Sequence, residues 1–457
     1  MSKYTPSLIA IQLATCMGFL VVQLDVSVVN VGLGSLKHAF NTNLTGLQWV
    51  INSYALVFAA LLIIGGALGD KFGARNIFTW GFALFTIGSV GCGLANSMST
   101  LIALRGVQGI GAALLVPTSL TLIRLSFTDP SMRRTAVATW GACGGIALAA
   151  GPVLGGGLIQ YFGWRSVFLI NVPLGLLAIF LILRSASASP RVDKKIDVLG
   201  QVTIAISIAA LTYALTQSSS EGWARGPLTM MVVAVVFLVL FIMVQRRVKF
   251  PMLPARLAKN KVLATTALCG AVINLTFYGT VFDLSIYFQS ILHYDSIKTG
   301  LSFIPLTAVL TISTMISTRV ARKVSDKRII TTGFSVQIIG FILLSQLTES
   351  SSLWFLNGTL MMVGIGSAMS VPSITNSMLS SVSQHDAGMA SGLMTSARQI
   401  GGVIGVGLFG AMIAQSDLTS FPSGMAHGMW LSALCLFLCI CVNTWVLRNR
   451  DSMLAES

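Results

Sequence analysis

Gly66-Ala67-Leu68-Gly69-Asp70-Lys71-Phe72-Gly73-Ala74-Arg75 interrupts an otherwise apolar part of the chain. The stretches beside it, 47–69 and 77–95, are each long enough to cross a bilayer core, which takes about 20 apolar residues in a helix. The charged segment reads as a tight turn at the membrane surface. Gly73 permits positive φ. Asp70 suits a neighbouring helix N-terminus, where negative charge is favoured. Lys71 and Arg75 can pair with it or with lipid phosphates. Taken alone, the segment is equally readable as a plain charged turn.

The same pattern extends in both directions. The 457 residues are 54% hydrophobic and 9% charged, with a mean hydropathy of +0.83. Soluble domains carry about 25% charged residues. The deficit excludes an ordinary soluble enzyme, a disordered chain and a nucleic-acid binder in water. Fourteen apolar stretches qualify as spans: 8–34, 47–69, 77–95, 101–123, 136–159, 165–184, 198–216, 227–245, 262–290, 298–320, 329–347, 353–378, 388–414 and 429–447. The first is not a cleavable signal, being too long and carrying Asp25. With the N-terminus in the cytoplasm, almost all of the 29 bases fall on the cytoplasmic side. The exceptions are Lys37, Arg165, Arg225 and Lys298 outside, and Arg105 and Arg398 within spans. This is a positive-inside distribution that an odd span count would scramble, and it explains the net charge of +15. Both termini are expected in the cytoplasm. The polar stretches 185–197, 217–226, 246–261 and 415–428 are loop-sized and leave no room for a soluble domain. The seven cysteines lie in apolar runs without a CxxC, so neither a disulfide framework nor a metal site is expected.

Two further stretches carry unusual chemistry. Leu101-Ile-Ala-Leu-Arg105-Gly-Val-Gln108-Gly109-Ile-Gly111 opens the fourth span. An arginine inside an apolar helix is costly and should face a partner or a water-filled cavity; the alternative is snorkelling to the interface. Gly151-Pro152-Val-Leu-Gly155-Gly156-Gly157 in the fifth span combines a missing backbone donor with residues that let helices approach closely. It reads as a bendable, tightly packed helix, or as ordinary small-residue packing.

These three stretches, in this order, resemble the signatures of the major facilitator superfamily. The first resembles the loop 2–3 signature, the second the span-four signature and the third the span-five antiporter signature. Leu24-Asp25-Val-Ser27-Val-Val-Asn30, Gln48-Trp49-Val-Ile-Asn52-Ser-Tyr54, Trp164-Arg165-Ser-Val-Phe168-Leu-Ile-Asn171-Val-Pro173 and Ala390-Ser391-Gly392 through Arg398-Gln399-Ile-Gly401-Gly402 extend the match. With fourteen spans, the chain resembles the fourteen-helix branch of the drug:proton antiporters, the Qac-type multidrug exporters. The resemblance implies an all-α membrane protein with two pseudo-symmetric six-helix bundles, 1–184 and 262–457, joined by a linker with two extra spans, 185–261. It departs from the pattern at Ala147, where a glycine is usual, and at Ala74, where an arginine is. The second copy of the loop, Arg319 to Arg328, is degenerate, with Arg322 for the aspartate and Ser325 for the glycine. The cytoplasmic latch therefore falls to Asp70.

Of the 14 acids, only Asp25 and Asp283 lie deep within spans. An intramembrane ionisable group is a functional hypothesis by default. Each lies about 17 to 21 residues from the cytoplasmic start of its span, roughly 26–32 Å along a helix, which puts both in the outer half. Leu24-Asp25-Val-Ser27-Val is echoed by Phe282-Asp283-Leu-Ser285-Ile, so the two carboxylates are expected to face one cavity from the first helix of each bundle. A buried carboxyl favours its protonated form and can release the proton when a cationic substrate or Arg105 approaches. Arg105 resembles the family's proton-relay arginine. Asp25, Asp283 and Arg105 are the candidate proton-coupling residues. Asp25, Asp283, Asn30, Tyr54, Phe58, Tyr278, Phe282 and Tyr287 are the substrate-site candidates, the aromatics offering stacking or cation–π contact. Asp70, Lys71, Gly73, Arg75, Gly151, Pro152, Gly155, Gly156 and Arg398 are the gating candidates. A structural hydrogen bond for the acids and helix packing for the aromatics are the competing readings.

The expected function is proton-coupled export of small cationic or amphiphilic compounds by alternating access, from the cell membrane. No cofactor is expected beyond the proton gradient, no nucleic-acid partner, and a monomer. Export of one dedicated metabolite, neutral or anionic, is the close alternative, and a non-transporting receptor a remoter one. An enzyme is disfavoured by the lack of any metal cluster or Ser/His/Asp set at matching depth. A primary pump is excluded by the lack of a GxxxxGK[ST] motif.

Overall fold

In the computed structural model, residues 5–191, 197–320, 323–348, 351–383, 386–414 and 421–455 are described. Asp193, Lys194 and Lys195 of the linker, Arg322 of the degenerate loop, and 415–420 lie outside them. Among the described residues there is no strand. The spanning helices are α1 (Pro6–Val31), α2 (Leu44–Phe72), α3 (Ala74–Leu94), α4 (Met98–Ser126), α5 (Pro130–Phe162) and α6 (Ser166–Ser185). They continue with α7 (Val198–Glu221), α8 (Arg225–Arg247), α9 (Lys261–Ile291), α10 (Ser296–Ser302 with Ile304–Val320), α11 (Asp326–Leu344), α12 (Leu353–Leu379), α13 (Ala387–Ala414) and α14 (Phe421–Ala455).

The helix starts are set by local chemistry. Asn43 Oδ1 accepts from Gly46 N at 3.0 Å, Ser97 Oγ from Thr100 N at 3.2 Å and Asn260 Oδ1 from Leu263 N at 3.0 Å. Asp129 caps α5 by accepting from Ser131 N and Met132 N, with Pro130 in the first turn. Each cap satisfies a donor that would otherwise be orphaned at the helix end. Two expectations change. The tenth span is not one continuous helix: its two pieces meet at a 41° bend. Pro305, in the first turn of the second piece, lacks an N–H and crowds the carbonyl four residues back. The first span ends at Val31, and Leu33–Phe40 forms a separate short helix.

The chain divides into two compact units, 1–205 with 294–301 and 206–293 with 302–457. In the first, α1 packs on α4, α5 and α6, α4 on α2 and α3, and α3 on α6. In the second, α9 packs on α12, α13 and α14, α12 on α10 and α11, and α11 on α14. Every pair recurs eight helices later, so each bundle repeats the other's packing and α7 and α8 stand outside the repeat. Glycine sets the closest approaches. A Cβ at Gly65 of α2 would strike the Ala113 carbonyl of α4, and one at Gly401 of α13 the Ala271 carbonyl of α9. Many exposed side chains are large and apolar, Trp354, Trp430 and Trp445 among them, as a membrane-spanning surface requires.

Candidate functional site

In the first bundle, α1, α2, α3, α4 and α6 converge on one buried polar cluster. Asp25 of α1 and Arg105 of α4 form a direct ion pair, each residue only 1% exposed. Arg105 and Gln108 are three residues apart and share a helix face. Arg105 Nη1 donates to Gln108 Oε1 at 2.8 Å, and Arg105 Nε donates to the Val50 carbonyl of α2 at 3.0 Å. The Tyr54 ring lies 4.4 Å from the guanidinium carbon. Asp25 Oδ1 accepts from Gln108 Nε2 at 3.2 Å and from Asn171 Nδ2 of α6 at 3.3 Å. Ser89 of α3 closes the cluster, its Oγ 2.7 Å from Gln108 Nε2 and 3.4 Å from Asn171 Nδ2. Snorkelling by Arg105 is thereby excluded: its guanidinium turns inward to a partner. A charge buried this deeply requires such pairing.

Sequence reading named Asp25, Arg105 and Tyr54 but assigned no role to Gln108, Ser89 or Asn171. The usable signal was present: Gln108 and Asn171 are amides inside apolar helices, and Gln108 lies one turn from Arg105. Phe58 is buried beside Tyr54 with ring centroids 6.0 Å apart. Asn30 donates back to its own helix, to Val26 O at 2.8 Å.

The gating candidates are at helix ends and close crossings. Gly73 has φ +93°, the positive value its turn requires. Arg75 Nη2 donates to the Leu183 carbonyl of α6 at 2.7 Å and its backbone N–H to Ser189 Oγ at 3.1 Å. Lys71 is exposed, and Asp70 is half-buried at the end of α2. On α5, a Cβ at Gly151 would meet Ser27 Oγ at 2.5 Å and one at Gly155 would meet Val28 Cγ1 at 2.8 Å. A Cβ at Gly156 would strike the Ser296 carbonyl, and one at Gly300 the Pro152 carbonyl.

In the second bundle the pattern changes. Asp283 of α9 is completely buried, and neither carboxyl oxygen has a hydrogen-bond partner among the described residues. Gly109-Ile-Gly111-Ala-Ala-Leu-Leu-Val-Pro117 of α4 aligns with Gly364-Ile-Gly366-Ser-Ala-Met-Ser-Val-Pro372 of α12. That register puts Leu360 where α4 has Arg105 and Val363 where it has Gln108, both buried. Gly81-Phe82 and Gly333-Phe334 align α3 with α11 and put Phe341 where Ser89 stands. Arg398 of α13 is half-buried, donating through Nε to Asn274 Oδ1 at 3.2 Å. Tyr278, also half-buried, packs beside Gly402. Phe282 is fully buried, and Tyr287 donates to the Thr348 carbonyl at 3.1 Å.

A family model described as Major Facilitator Superfamily matches residues 15–406. The chain belongs to the major facilitator superfamily. This transporter is 33% identical over 94% of its length, and 92% of the relative's, to the methylenomycin A resistance protein of Bacillus subtilis (strain 168). It is 32% identical over 88% of its length, and 75% of the relative's, to the multidrug resistance protein Stp of Mycobacterium tuberculosis (strain CDC 1551 / Oshkosh). Its fold is similar, with a TM-score of 0.71 at 16% identity and 98% coverage of both chains, to a bacterial homologue of the human lysosomal transporter Spinster. It is a multi-pass membrane protein.

Proposed function

We propose that this transporter exports small organic compounds in exchange for protons, by alternating access, with cationic and amphiphilic drug-like molecules as its substrate class. The buried Asp25–Arg105 pair carries the reading. Paired with Arg105, Asp25 is closed to other partners; a helix movement that parts the two frees the carboxyl for proton or substrate. A site with two such states can alternate proton and substrate. Gln108 and Asn171 steady the paired state by donating to Oδ1. The resistance proteins among its relatives support drug export. Gly151, Pro152, Gly155 and Gly156 keep α5 tightly packed, and Asp70, Lys71, Gly73, Arg75 and Arg398 bias the alternation. The distribution of basic residues supports cytoplasmic termini, and one chain suffices for transport.

A second reading is export of one dedicated compound, favoured by the Bacillus relative named for resistance to a single one. The test is tolerance of an efflux-deficient bacterium to a panel of dyes, biocides and antibiotics, with proton-gradient-driven ethidium transport in everted vesicles. Tolerance to several chemically unrelated cations, abolished by a protonophore and by Asp25→Asn, is expected. Tolerance confined to one compound selects the second reading. Transport unaffected by Asp25→Asn removes the coupling role.

A further inference from the structure

We infer that Asp283 is a second proton-binding site of this transporter, occupied as a neutral carboxylic acid in the conformation described here and exchanged with water as the helices reorient. Its use in transport rests on the export reading above; its protonation does not.

The argument begins with what surrounds the carboxyl. Asp283 is fully buried, and among the described residues neither of its oxygens has a hydrogen-bond partner. Hydroxyls on its own helix are committed elsewhere, Thr280 Oγ1 to Met429 Sδ of α14 at 3.8 Å and Ser285 Oγ to the Val281 carbonyl at 2.8 Å. One turn before Asp283 on the same helix face, Gly279 backs on to Phe409 of α13. The repeat between the bundles makes the contrast specific. In the register that pairs α4 with α12 and α3 with α11, buried Leu360, Val363 and Phe341 stand where Arg105, Gln108 and Ser89 stand in the first bundle. An ionised carboxylate without a counter-charge or donor is far more costly in such a place than a neutral acid.

Among the described residues of the helices packed on α9, no group offers a substitute charge. α12 carries no titratable side chain. α13 carries Arg398, whose Nε is engaged by Asn274 and which lies roughly three turns from Phe409. α14 carries His427, which is exposed, and the thiols Cys435, Cys439 and Cys441. Its Arg448, Arg450 and Asp451 are roughly five turns beyond Met429. On α9 itself stand Lys261 at the far end, Cys269, Tyr278 and Tyr287, the last bonded to Thr348. A purely structural acid in an apolar setting would gain nothing over leucine. A proton carrier needs this combination: neutral while buried, ionised once wet.

The experiment is infrared spectroscopy of the full chain reconstituted in lipid at neutral pH, wild type beside Asp283→Asn, Asp283→Leu and Asp25→Asn. A protonated acid free of hydrogen bonds gives a carbonyl stretch well above the amide band. The expected result is that this band is present in wild type and Asp25→Asn and lost in both Asp283 variants. On transfer to heavy water it shifts down as the proton exchanges for deuterium. Absence of the band in wild type, or its persistence without Asp283, overturns the assignment. A band that never shifts shows a sealed structural acid and overturns the carrier role. If one Asp283 variant does not fold, the other and the wild-type exchange still decide the matter. Failure of the export reading is separately visible: an exchanging Asp283 band in a protein that moves no compound leaves the proton site standing and removes the drug-export assignment.

Discussion

Replacing Arg105 by alanine isolates the energetic core of the first bundle. Breaking a buried pair by removing one partner costs about 3–5 kcal/mol, because the remaining charge is uncompensated. Arg105→Ala also strips a charge-assisted bond from the Val50 carbonyl, about 1.5–3 kcal/mol, and the stacking on Tyr54, about 0.5–2 kcal/mol. These contributions overlap, since Asp25 retains Gln108 and Asn171. The expected total for Arg105→Ala is therefore about 5 kcal/mol. Asp25→Asn is expected to cost a comparable amount, since it leaves the buried guanidinium without a counter-charge. The double variant Asp25→Leu, Arg105→Leu should recover much of the loss, an apolar pair being tolerated where a lone charge is not. Denaturant titration of the detergent-solubilised chain between pH 5 and 8 measures all of these in one cycle. A cost for Arg105→Ala below about 1 kcal/mol, additive with that of Asp25→Leu, would refute the reasoning.

Other expectations follow from the same geometry. Gln108→Ala removes one donor from Asp25 Oδ1 and leaves Ser89 and Arg105 each short of a bond; a loss of about 2 kcal/mol in the same titration is expected, with a shifted pH dependence of export. Gly156→Val should abolish transport in vesicles with expression retained, because its side chain would occupy the place of the Ser296 carbonyl; wild-type transport in that variant would show that this close approach is dispensable. Gly73→Ala forces a side chain on to φ +93° and should destabilise the chain by about 1–3 kcal/mol, read as an earlier unfolding midpoint.

The two halves of the molecule use one packing plan for different electrostatics. In the first, a buried acid is balanced by an arginine on α4. In the second, the equivalent helix carries leucine. The shared glycine and proline positions of α4 and α12 maintain the helix crossings, while single side chains on those helices decide whether a charge is held.

By itself, the sequence determined that this chain crosses a membrane many times, where most turns fall, and that Asp25, Asp283, Arg105 and Arg398 are costly where they stand. Those conclusions follow from hydropathy and charge, which depend on neighbours in the chain. Even Pro305 stands in plain view, yet hydropathy alone runs through the bend of α10 as one span. Tertiary structure decided which polar groups meet. Whether Arg105 turned to Asp25 or to the interface depended on the rotation of α4 against α1, and Asn171 reached the same carboxyl only because α6 packs beside α1. The unpartnered state of Asp283 is likewise a property of three neighbouring helices. Partnership in a helix bundle is fixed by azimuth and crossing distance, set by glycines and bulky side chains far apart in the chain.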